Sequence, residues 1–185
     1  MNACLLALVS LSLPPGILVD RVIAVVDKEV ITYGELLREV RVALVIHEDP
    51  RTAMADLPAE VLERGLDNLV NMVVIAAQAR RMGDVDVPSD EVDRATEHFA
   101  SRFSSSDAYR AFLRRFDISE AALKGILRRD MRNERYIAQR LKAWRMGHAV
   151  SSPVRDADAL ERWVKELKAG VELRLLGPNG ELELQ

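Results

Sequence analysis

The side chains best equipped for chemistry in this chain are three histidines, one cysteine and a close pair of aspartates, and their placement assembles no reaction centre. His47, His98 and His148 lie far apart, without the short spacings by which a helix or loop presents metal ligands. Cys4 is the sole cysteine, so one chain can build neither a disulfide nor a cysteine-based zinc site. Asp84 and Asp86 stand close together before a helical segment. Carboxylates there usually serve capping and solubility, whereas a general acid–base pair needs a cleft and a perturbed pKa. The nucleophile elbow G-x-S-x-G, the phosphate loop G-x-x-x-x-G-K-[ST], the dinucleotide fingerprint G-x-G-x-x-G and the zinc helix H-E-x-x-H are all absent. No catalytic residue, metal ligand or cofactor is therefore expected.

What the sequence does concentrate is apolar surface. Phe99, Phe103, Tyr109, Phe112 and Phe116 hold five of the nine aromatic residues. With Met131 and Tyr136 they form the candidate peptide-binding set. Aromatic rings and pliable methionines suit shape-tolerant contacts with extended apolar segments. The competing reading is core, since apolar stripes at helical spacing usually face inward. On that reading the same rings stitch two helices onto the rest of the protein.

An electrostatic site is the other candidate. From Lys124 to Arg145 there are eight Lys or Arg against two acids, Asp130 and Glu134. Such an excess would attract nucleic acid, lipid headgroups or an acidic client. The whole chain nevertheless carries a net charge of -3, opposite to that of a typical DNA-binding domain. Pairing with acidic neighbours is the simpler account, and no nucleic-acid partner is expected.

Helices must carry most of these residues. Thr32 and Glu35 make a T-x-x-E capping box, opening a first helix with Leu37, Val40 and Leu44 on its apolar face. "HEDPRTAMADLP" reads as a loop. A second helix, from about Pro58 to Met82, is apolar nearly all round in its second half apart from Asn71, which places it in the middle of a bundle. Ser89 is the expected N-cap of a third helix carrying Phe99 and Phe103. A short fourth helix carries Tyr109, Phe112 and Phe116. Asp117 and Glu120 are expected to cap a long, basic fifth helix from about Ile118 to Trp144, and a sixth runs from Ala157 to about Lys168.

Strand signals occur only at the two ends. "RVIAVV" and "VIT" flank the polar turn "DKE", and "VELRLLGPNGELELQ" alternates around a Gly-Pro-Asn-Gly turn. A lone two-stranded hairpin is marginal in water, so the two are expected to join. The fold read from the sequence is mainly α: a multi-helix bundle with a small antiparallel β-sheet formed by the N- and C-terminal hairpins. One domain spans 19–185, with its helical body at about 32–169 and its second hairpin at 171–185.

Residues 1–18 contain an apolar run from Ala3 to Leu13. Its length suits a signal-peptide core and falls short of the roughly 20 residues that span a bilayer. It lacks a preceding Lys or Arg and an A-x-A cleavage site, so the signal is imperfect. The expectation is export to the periplasm, a cytoplasmic location if the segment is no signal, and no stable membrane insertion.

Three stretches in order carry a resemblance. "VDRVIAVVDKEVITYGELL" resembles the opening strand pair and capped helix of the SurA N-terminal domain family, the periplasmic chaperone module often joined to parvulin-type prolyl isomerases. "NLVNMVVIAAQARRMGDVDVPSDEVDRA" is similar to the family's second signature at Leu69, Val70, Val74, Ile75, Ala79 and Gly83, and again at Val85, Val87, Ser89, Asp90, Val92 and Asp93. "FDISEAALKGILRRDMRNERYI" follows its next helix at Ser119 and from Leu123 to Ile137. Together these cover roughly Val19 to Trp144.

The resemblance implies a helical chaperone domain that binds unfolded outer-membrane or secreted polypeptides without ATP, its C-terminal segment returning to the helical body. Between Trp144 and Asp156, where the family commonly carries its isomerase domains, only a short linker stands. A domain of about 90 residues cannot fit there, so no isomerase activity is expected. Two alternatives stand beside the chaperone: a helical nucleic-acid-binding regulator using the basic fifth helix, and an assembly subunit or homodimer whose groove is filled by a partner.

Overall fold

The β-branched run Val22–Val26 forms a strand (β1) with its last four residues buried, and Glu29–Thr32 forms the next (β2). The computed structural model describes residues 20–82, 85–146, 153–177 and 181–184. The candidate signal segment, Asp84, His148 and the tip of the Gly-Pro-Asn-Gly turn lie outside the described residues. Between β1 and β2, Asp27 takes a left-handed backbone with φ 53°, a conformation that short polar side chains tolerate. Its N–H donates to Glu172 O at 2.8 Å, and its carboxylate accepts the Glu172 N–H at 2.9 Å. The turn is thereby a clasp on the far end of the chain.

Leu173–Leu176 (β3) lies antiparallel on β1, and Leu182–Leu184 (β4) on β3, in a four-stranded sheet of order β2-β1-β3-β4. Ala24 faces Leu175 and Val26 faces Leu173 across the central pair. The two terminal hairpins do close into one sheet, and the other regular elements of the described chain are helices: Tyr33–His47 (α1), Pro50–Met54 (α2), Ala59–Met82 (α3), Ser89–Ser101 (α4), Ser106–Arg115 (α5), Glu120–Met146 (α6) and Pro153–Ala169 (α7).

Helix starts follow local hydrogen-bond chemistry, and several differ from the sequence reading. At α1 the Thr32 hydroxyl accepts the Glu35 N–H at 3.2 Å, as the capping box requires, and the Asp20 carboxylate accepts the Gly34 N–H at 2.9 Å. The expected loop after α1 contains α2, because Asp49 accepts the N–H groups of Arg51 and Thr52 while Pro50 supplies a preset φ in the first turn. Ser89 lies inside α4 rather than capping it; Pro88 holds the cap position, with no side-chain hydrogen bond. At α6 the cap is Ser119, whose hydroxyl accepts the Ala122 N–H at 3.0 Å. Asp117 instead turns the chain with φ 51°. Helix α7 starts at Pro153, ahead of Ala157. The buried face of α1 is Leu36, Val40, Val42 and Val45, with Leu37 and Leu44 only half-buried.

Three apolar centres result. One joins the sheet to α1 and α3 through Ile23, Ile31, Leu36, Leu69, Val74 and Leu173. A second gathers α1, α4, α5 and α6 around Val45, Phe99, Phe112 and Leu123. The third sets Ile75 and Ala79 of α3 against Tyr136 of α6 and Trp163 of α7. Helix α3 serves the first and third, consistent with its all-round apolar second half.

Gly65 lets α3 approach α1 closely: a Cβ built there would overlap Val40 Cγ2. Replacing an interior helical glycine by alanine ordinarily stabilises by about 1 kcal/mol. Val40 is buried and β-branched, with little freedom to turn aside. Gly65→Ala should therefore destabilise, by about 1–3 kcal/mol from overpacking. Urea denaturation of the two proteins reads the sign, and a stabilised variant would refute the close approach.

Candidate functional site

Four helices leave a groove of about 600 Å³ between them. From α1 it takes Glu39, Val40, Ala43 and His47; from α7 it takes Ala157, Leu160, Glu161 and Val164. Both sets recur every three or four positions, which is one face of a helix. Helix α3 supplies Leu69, Met72 and Ile75 with the amides Asn68 and Asn71, and α6 supplies Arg129, Asp130 and Ile137. Ile137 and Leu160 also line a smaller cavity that continues to Leu141, Trp144 and Trp163. The two cavities are one furrow along α6 and α7. From Arg129 to Trp144 it follows fifteen helical steps, about 22 Å at 1.5 Å each, the length of six or seven residues of extended peptide.

The middle of the furrow is charged. Arg129 donates to Glu39 across the α1–α6 contact at 2.5 Å and lies 3.7 Å from Asp130. Burial, reinforced by the neighbouring Glu39 and Glu134 carboxylates and only partly offset by Arg129, pushes Asp130 up to about 7. Glu35, one turn before Glu39, is also raised, first by burial and then by Glu39. Asn71 lines the same wall with a buried Oδ1 that has no hydrogen-bond partner. Asn133, fully buried, donates from Nδ2 to Met72 O at 3.0 Å and leaves its own Oδ1 unpartnered.

The raised pKa of Asp130 has a stability consequence. The folded state holds its proton up to about pH 7, whereas an unfolded carboxyl releases it near 3.8. Between those values the folded state binds more protons, so this group's contribution is fully present below pH 3.8 and is lost as pH rises to about 7. Asp130→Asn, which keeps the neutral shape, should be more stable than the parent by about 2 kcal/mol at pH 8, discounted for the carboxyl's contact with water. The gap measured by denaturation should open from pH 4 upward and stop growing above pH 7. A gap independent of pH would exclude Asp130 as its source.

The seven residues proposed from sequence do not share one surface. Phe99, Tyr109 and Phe112 are buried in the second apolar centre, and Tyr136 is buried in the third, 5.7 Å from the Trp163 ring. For these four the core role holds. Phe103, Phe116 and Met131 are half-buried. Phe103 borders a separate depression with Met54, Ala55 and Ala108, while Phe116 is covered by the Arg41 guanidinium, 4.4 Å from the ring centroid. The sequence reading missed the furrow's own residues. Its signals were there in Asn71, a polar break in the apolar half of α3, and in Asp130, an acid inside a basic stretch.

Four of the eight cations of the basic stretch are paired within the fold. Lys124 pairs with Asp93 at 2.7 Å, Arg129 with Glu39, Arg135 with Glu91, and Arg145 with Asp156. Among the described residues no group of three or more His, Cys, Asp or Glu is placed to hold a metal ion, and no helix is long and apolar enough to cross a membrane. The chain matches no protein-family model and no curated protein sequence.

Proposed function

We propose that this domain is a non-enzymatic, ATP-independent chaperone module that holds unfolded or extended polypeptide segments, working in the periplasm on outer-membrane or secreted chains. The observation that carries this reading is the four-helix furrow, long enough for a short extended segment and lined mainly by Val40, Leu69, Met72, Ile75, Leu160 and Val164. Methionine and small aliphatic side chains adapt to varied apolar partners. The charged middle would hold polar backbone in place. The resemblance of three ordered stretches to the SurA N-terminal domain family supports the same reading. The intramolecular pairing of four α6 cations weighs against a nucleic-acid partner.

Both tryptophans of the chain, Trp144 and Trp163, line the lower end of the furrow. Their fluorescence should shift on titration with an unfolded porin-like polypeptide and stay constant with duplex DNA. Light scattering in the same titration should show the client held soluble. A stable oligomer indifferent to the client, or a salt-dependent response to DNA, would overturn the proposal.

A further inference from the structure

The furrow's charges are unbalanced in one direction. Helix α1 presents Glu39 and His47, α6 presents Arg129 and Asp130, α7 presents Glu161, and α3 presents only amides and apolar groups. Arg129 is committed to Glu39 at 2.5 Å and reaches Asp130 only at 3.7 Å. Among the described residues Glu161 has no ion-pair partner. What is left over is acceptors and negative charge in an otherwise apolar channel.

We propose that the furrow selects, among apolar polypeptide segments, those that carry a lysine or arginine, whose cation sits between the lining carboxylates Asp130 and Glu161. This rests on the reading of the furrow as a client site and names the client class. A lysine ammonium offers three donors and no acceptor, which suits a pair of carboxylates. The long aliphatic stems of Lys and Arg suit the Leu160 and Val164 side of the channel. Arg129 Nε is also without a partner, but the carboxylates of Glu35, Glu39 and Asp130 around it repel an anion. The held proton on Asp130 agrees with a carboxyl short of a cation: a bound ammonium would favour its ionised form.

The test uses the full chain and three otherwise identical apolar decapeptides with lysine, norleucine or glutamate at the centre. Tryptophan fluorescence at pH 7.5 reads the affinities. The lysine peptide should bind about tenfold more tightly than the norleucine peptide, the factor expected of a partly desolvated charge pair, and the glutamate peptide more weakly than either. Asp130→Asn and Glu161→Gln should each reduce the preference for lysine over norleucine to about twofold. Calorimetry at pH 7 in two buffers should show a proton released on lysine-peptide binding and none in Asp130→Asn. Equal binding of the lysine and norleucine peptides overturns the charge selection and leaves the client site standing. If none of the three binds, the client reading falls with it. A preference that survives both substitutions overturns the assignment to these residues.

Discussion

Removing Val171 to Gln185 should leave a chain that melts at least 10–20 °C lower than the full domain, or without a cooperative transition. The segment is short, but β3 is the inner neighbour of β1 in the sheet. Without it, Ala24, Val25 and Val26 lose the antiparallel partners Leu175, Arg174 and Leu173, and a buried strand is left with an open edge. Val171, Leu173, Leu175 and Leu176 also pack into the apolar centre shared with α1 and α3. At about 1.5–2 kcal/mol each, their loss approaches the 5–15 kcal/mol by which a domain of this kind is stable at all. Fewer ordered residues offset part of that, which still leaves several kcal/mol and roughly 2–4 °C for each. The Asp27–Glu172 clasp disappears as well. Circular dichroism melts of the two chains decide the matter. A truncated protein that melts with the full one would mean that the sheet closes nothing.

That closure was legible in the sequence because turn chemistry and period-two patterning act locally, and because a lone hairpin has too little to pack against. Long helices were legible for a similar reason: the repeat of apolar residues in α3 and α6 extends over many turns, and one misjudged residue does not change it. Ends were harder. The N-cap of α6 went to Ser119 over Asp117, since a cap must keep extended backbone while Asp117 turns into the left-handed region. Helix α2 hid in a polar stretch because a single turn held by Asp49 and Pro50 has no periodicity to detect. The furrow was least legible. Its charged centre exists only where Glu39 of α1 meets Arg129 of α6, and no local rule brings those positions together. The aromatic residues were conspicuous in sequence for the opposite reason: they are clustered, and clustering is as much the mark of a core as of a binding face.

Phe112 separates those two meanings. Its side chain is fully buried, with ring centroids 6.1 Å from Phe99 and 5.2 Å from both Phe103 and Phe116. These tilted and edge-on contacts add to the area each ring removes from water. Phe112→Ala should cost about 3–5 kcal/mol, the range for deleting a buried aromatic and leaving a cavity that its neighbours only partly fill. Urea unfolding should show a lower midpoint at unchanged slope, since the surface exposed on unfolding scarcely changes. Phe103→Ala, at a half-buried ring, should cost about 1–2 kcal/mol. Under conditions where both variants stay folded, neither should alter peptide binding read at Trp144 and Trp163, because the aromatic cluster and the furrow share no lining residue. If instead Phe112→Ala kept its midpoint and lost the peptide, the rings would be the client surface, and the furrow between α1, α3, α6 and α7 would lose its claim to that role.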